Sequence, residues 1–129
     1  MATTTASLTI TSADLVGDAL SLSSSKVLHK AGTTVGLDQT TGMASLYLTA
    51  TTQLDIFPVL PATPAGQNLQ SWVYICNKST DETEFITVSI AATTIGLLYA
   101  GDFMWMPWSQ IAQKADIEIA PSTGAAAAG

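Results

Sequence analysis

Histidine, cysteine and paired carboxylates build most hydrolytic, redox and metal sites, and this chain has few of them. His29 is its single histidine, so a catalytic triad or imidazole metal site has to be assembled around that one ring. It stands between Leu28 and Lys30 in a strand-like stretch with no partnering motif, and reads as a surface or half-buried strand residue. Cys76 is the single cysteine, which leaves no intramolecular disulfide and no cysteine metal cluster. The densest acidic group is Asp81, Glu82 and Glu84, a combination that glycoside hydrolysis or calcium binding can use. A hairpin tip explains the same residues, because tips need solvated side chains, and the alternating Asp/Asn with glycine of a calcium loop is missing. Asp102 follows Gly101, a common turn pair, and reads as structural rather than as a general base. Nucleophile elbow, phosphate loop and dinucleotide fingerprint are all absent from the sequence. No catalytic, cofactor-binding or metal-ligating residue is assigned, no cofactor is expected, and the chain is expected not to be an enzyme.

The aromatic group Phe103, Trp105 and Trp108 offers different chemistry. Such rings stack on sugars, but Met104, Met106 and Pro107 interleave with them, which suits packing into a core or against a protein neighbour better than a polar sugar platform.

Composition narrows the partner class. The formal net charge is −6, arginine is absent, and Lys26, Lys30, Lys78 and Lys114 are the only side-chain cations besides His29. That balance opposes direct contact with nucleic acid or an anionic membrane. Hydrophobic residues make up 47% and charged residues 11%, against about 25% charged in ordinary soluble domains. Ser and Thr fill the deficit, as in Thr3–Thr5 and Ser23–Ser25. Two readings fit: faces covered by neighbours, since interface cores are depleted of charge, or a Thr-rich β protein, since Thr favours strands. No apolar stretch reaches bilayer-spanning length and Met-Ala-Thr-Thr-Thr is no signal peptide, so a cytosolic product is expected.

The elements that must position these residues read as strands. Leu8 and Ile10 alternate with Ser7, Thr9 and Thr11 as a short first strand; Asp14–Asp18 turn, and Leu20 to His29 form a long second one. Residues 31–42, with three glycines, read as a loop. Alternation resumes from Leu46 to Ile56, and Pro58, Pro61 and Pro64 then impose an extended connection. Trp72-Val73-Tyr74-Ile75-Cys76 predicts a central strand buried on both faces, turning through residues 77–83 into an antiparallel hairpin with Phe85–Ile90. Ile117 and Ile119 mark a last strand, and Trp108–Lys114 is the sole helical candidate. The sum is an all-β antiparallel β-sandwich, jelly-roll-like in form, with flexible termini: one domain over 1–129 with an N-terminal arm, 1–7, and a flexible C-terminal tail, 121–129.

Three stretches, Trp72-Val73-Tyr74-Ile75-Cys76-Asn77-Lys78-Ser79, Phe85–Ile90, and Ile95–Pro107 with its Leu98-x-x-Gly101-Asp102 turn, together resemble the capsid decoration (cement) proteins of tailed bacteriophages, cyanophages included. The resemblance covers about residues 70 to 107. It implies a virion protein on the outer capsid surface, made in the host cytoplasm, commonly a homotrimer, whose partner is the major capsid protein and which bridges capsid subunits to reinforce the shell. It transfers no catalytic residue. Family members usually continue with another apolar strand, where this chain has Ala125–Gly129. Segments 1–7, 31–45 and 121–129 are expected to reach the capsid. The alternatives are a glycan-binding or host-adhesion module, which predicts an exposed Trp105–Trp108 cluster, and a head–tail joining or tail protein.

Overall fold

The alternation of Leu and Ile with Ser and Thr builds a hairpin of two nine-residue strands, β1 (Thr4–Ser12) and β2 (Leu20–Leu28). Their antiparallel register is unbroken from Thr4↔Leu28 to Ser12↔Leu20. Because partners in a ladder share a face, Ile10 and Leu22 lie on one side and Thr9 and Ser23 on the other. The hydroxyl side is tied across the strands by Ser7 Oγ donating to Ser25 Oγ at 3.2 Å. Leu28 is buried at the ribbon's base, where His29 bridges Gly36 and Lys30 N donates to Val35 O at 2.8 Å. The computed structural model describes residues 3–14, 16–30, 32–37, 40, 42–48, 53–57, 70–109, 116–122 and 127–128.

Chain contacts divide the molecule into two compact units, Met1–Thr41 with this ribbon and Gly42–Gly129 with the remaining strands. The second unit holds β3 (Leu46–Tyr47), β4 (Leu54–Phe57), β5 (Gln70–Cys76), β6 (Phe85–Ile90), β7 (Thr93–Tyr99), β8 (Phe103–Ser109), β9 (Ile117–Pro121) and β10 (Ala127–Ala128). Strands β4, β9, β6 and β7 form a four-stranded sheet in that order, β5 pairs with β8, and β10 with β3. Every pairing is antiparallel. The inward residues of the large sheet, Ile86, Val88, Leu98, Ile117 and Ile119, pack with Val73, Ile75 and Trp108 of the β5–β8 layer and with Leu48. Apolar faces of two sheets closed on one core make a β-sandwich. Among the described residues four strands face two, which does not by itself make the paired four-stranded sheets of a jelly roll.

Several expectations are corrected. Strand β5 pairs with β8 and not with Phe85–Ile90, and among the described residues it has that one neighbour. It is therefore not a central strand buried on both faces: Val73 and Ile75 point into the core while Tyr74 is exposed. Phe85–Ile90 instead lies between β7 and β9. Thr4–Ser7, expected as part of an arm, are paired residues of β1, because their alternation continues the ladder begun at Leu8. The tail is anchored at its start: Pro121 is a buried strand residue opposite Ile86, and Ser122 N donates to Phe85 O at 2.8 Å. Ala127 and Ala128 pair with Tyr47 and Leu46. Within the helical candidate, Trp108 and Ser109 close β8 as strand; residues 110–114 and the Pro58–Pro64 stretch lie outside the described residues.

Candidate functional site

The outer face of the β5–β8 layer collects the aromatic residues. Tyr74 lies opposite Trp105, Trp72 opposite Pro107 and Cys76 opposite Phe103. Diagonal neighbours on that face touch: Trp72 and Trp105 stack with ring centroids 5.3 Å apart and planes 14° from parallel. Tyr74 and Phe103 approach at 6.2 Å. Phe103 is 59% exposed, Trp105 44% and Tyr74 43%. An ordinary sandwich presents polar residues outward, so a face of aromatic, Cys and Pro side chains departs from the pattern. It also carries no charge. The Tyr74 hydroxyl is held above the usual phenol value, chiefly by hydrogen bonding to the Cys76 thiol and then by burial, and stays neutral at physiological pH.

Trp108 is not part of this platform. Three residues past Trp105 on one strand is an odd spacing, which turns the side chain to the other face; Trp108 is buried in the core, with Met104 and Met106 packed on the same side. The exposed Trp105–Trp108 cluster is thus replaced by Trp105 with Trp72, a residue the sequence reading placed in a buried strand.

The acidic residues flagged in the sequence are used locally. Asp81 Oδ1 accepts from Thr83 N at 2.9 Å and from Thr83 Oγ1 at 2.6 Å, and Ser79 Oγ donates to Glu84 Oε2 at 2.5 Å. The two Thr83 bonds, the hydroxyl's first, hold Asp81 below the usual carboxylate range. Asp102 closes its own turn, accepting from Tyr99 N at 3.0 Å and donating its amide to Tyr99 O at 2.9 Å. His29 is exposed and Cys76 half-buried.

The carboxylates that do come together are others. Oxygens of Asp55, Asp116 and Glu118 lie within 4.8 Å of one another at the β4–β9 pairing. Glu118, which accepts from Gln53 Nε2, is held above the usual range by burial first, then by the charges of Asp116 and Asp55. An all-oxygen donor set is the type that hard divalent cations take. Asp116 and Glu118 flank Ile117 in the sequence, but only the β4–β9 ladder brings Asp55 to them. A hollow of about 450 Å³ at the tip of the β1–β2 ribbon is lined by residues including Thr11, Ser12 and Asp14, and in it Ser12 Oγ donates to Asp14 Oδ1 at 3.1 Å; no histidine or lysine among the described residues lines it to complete a relay.

No family model, no curated protein and no solved structure matches the chain. Function therefore has to be argued from the surfaces themselves.

Proposed function

We propose that the chain is a structural virion protein that binds the outer surface of an assembled phage capsid and stabilises the shell by bridging major capsid subunits, acting as a homotrimer and without catalysis. The observation that carries this is the uncharged aromatic outer face of the β5–β8 layer. Interface cores are enriched in Trp, Tyr and Phe and depleted of charge, and roughly 300–600 Å² of contiguous apolar surface on a small protein is often functional. Support also comes from the resemblance to decoration proteins. The stretches that carry it converge in space: the end of β5 at Asn77 is hydrogen-bonded to the Leu98-to-Asp102 turn. Binding to the assembled lattice alone adds its free energy to shell stability by mass action. Linked copies engaging several lattice sites make modest single contacts sufficient.

The test is co-sedimentation with capsids stripped of accessory proteins, read as copies bound per particle. Saturation at three copies, one homotrimer, per three-fold lattice position, lowered by Phe103→Ala and Trp105→Ala, is expected; no binding by the wild-type protein refutes the proposal. One observation favours a second reading, a glycan-binding module: the nearly parallel Trp72–Trp105 pair, with Trp105 exposed, is the kind of aromatic surface on which sugar rings stack. A glycan array probed with wild type and Trp105→Ala decides it.

A further inference from the structure

The β1–β2 ribbon carries a second uncovered surface. Leu8, Ile10, Leu20 and Leu22 lie on one face, each between 41% and 45% exposed. The opposite face carries Ser and Thr hydroxyls with one apolar side chain, Val27, toward the base. A two-stranded ribbon alone is marginal in water, and three or more strands or a packed partner are what stabilise one. The order of residues along the apolar face says what such a partner looks like. At its middle Ile10 pairs with Leu22. Four residues toward the base, Ala6 pairs with Lys26; four residues toward the tip stand Asp14 and Asp18, both exposed. Between these levels lie the pairs Leu8↔Ser24 and Ser12↔Leu20, each one large side chain beside one small.

We infer that this face is a self-association surface, seated on the same face of a second copy in the opposite direction, about a two-fold axis crossing the ribbon at the Ile10–Leu22 level. That operation sets Leu22 over its own mate and Ile10 over its own. It puts Leu8 over the mate's Ser12 and Leu20 over the mate's Ser24, large against small, as packed sheets require. Lys26 arrives at the level of the mate's Asp18, and the symmetric pair forms at the other end. The result is a four-stranded, two-layer sandwich with isologous contacts. Charge suits this pairing for a chain of net charge −6: the middle of the face is uncharged, Lys26 stands toward its base, and Asp14 and Asp18 are exposed in the turn at its tip.

Area sets the strength. Nine residues at about 3.4 Å each give a ribbon roughly 30 Å long and about 10 Å wide, or about 600 Å² for both copies, well under the roughly 1,200–2,000 Å² of a stable interface. The pairing is thus reversible and concentration-dependent. It does not depend on capsid binding, and failure of either leaves the other standing.

Sedimentation equilibrium of the full chain over a wide concentration range tests it. The expected mass doubles with concentration, from one chain toward two or, for the homotrimer of the proposed function, from three chains toward six. Lys26→Glu weakens association about ten-fold, the scale of two lost rim ion pairs turned repulsive, and adding Asp14→Lys with Asp18→Lys restores it. In a Cys76→Ser background, oxidised Leu22→Cys gives a covalent dimer and Ser23→Cys, on the hydroxyl face, does not. These surface changes spare the core of the second unit, and circular dichroism verifies folding. A mass of one chain throughout, a mass of three chains throughout, or equal cross-linking at positions 22 and 23 overturns the inference.

Discussion

Asn77 donates its side-chain amide to the carbonyl oxygen of Leu98 across 3.0 Å, from a position with no solvent exposure. Its Oδ1 accepts from Ser79 N at 3.0 Å, its backbone N donates to Asp102 O at 2.9 Å, and its carbonyl accepts from Gly101 N at 2.9 Å. One residue thereby joins the end of β5 to the end of β7 and to the turn that starts β8. Asn77→Ala leaves the Leu98 carbonyl and the Ser79 amide without their partner, at about 1–3 kcal/mol for each that stays buried. A drop of this size in urea denaturation is expected, and Asn77→Asp, which loses the donor to Leu98 and brings a charge inside, is no better tolerated.

Trp105 and Trp108 separate surface from core on one strand. Trp108→Ala empties a buried site and costs about 3–5 kcal/mol. Trp105→Ala loses the stack with Trp72 and costs about 1 kcal/mol. Chemical denaturation of the two variants should show that ordering, with capsid or glycan binding lost in Trp105→Ala while the fold persists. Equal destabilisation would mean that Trp105 acts in folding rather than in contact.

Period-two alternation made Ile86 and Val88, and Ile117 and Ile119, legible as inward pairs, because one buried face leaves that imprint on sequence. The Asn77–Thr83 turn and the Gly101-Asp102 turn were legible from residue type. Strand β5 was not: Trp72-Val73-Tyr74-Ile75-Cys76 is apolar on both faces, so its pattern is the same for a central strand and for one that shows an aromatic face outward. Its pairing with β8 is a long-range choice made by the core. The β6–β7 hairpin was hidden because its turn is Ala91-Ala92 and not a glycine or asparagine pair. The Asp55–Asp116–Glu118 group was hidden because cross-strand pairing brings it together.

That alanine pair is under strain. Ala91 and Ala92 have φ of 51° and 63°, in the left-handed region, as a two-residue hairpin turn with two positive φ angles requires. For residues with a Cβ the left-handed conformation costs about 1–2 kcal/mol each. Replacing Ala91 with Asn and Ala92 with Gly suits both positions, keeps the Ala91 amide that donates to Asp116 O at 3.1 Å, and should stabilise the protein by about 1–2 kcal/mol. Thermal unfolding of the double variant reads this out; a lowered midpoint would show that the turn relaxes.

Glu118 and Asp81 should give opposite slopes of stability against pH. The Glu118 carboxyl is held above its ordinary value, so the folded chain keeps that proton more tightly than the unfolded chain. Its contribution is most favourable below the ordinary glutamate value and is lost as pH rises through the raised one. Glu118→Gln removes the like-charge contact with Asp116 and Asp55, so this variant should be more stable than wild type at neutral pH, with the advantage shrinking in acid. Asp81 is held below its ordinary value by Thr83, and its stabilisation is present above the ordinary aspartate value and lost as pH falls through the depressed one. Asp81→Asn should therefore be less stable than wild type at neutral pH and converge with it in acid. Urea denaturation midpoints across acid to neutral pH test both together. If a divalent cation occupies the Asp55–Asp116–Glu118 group, adding calcium or magnesium would stabilise wild type and erase the Glu118→Gln advantage; without such binding the two curves keep their separation.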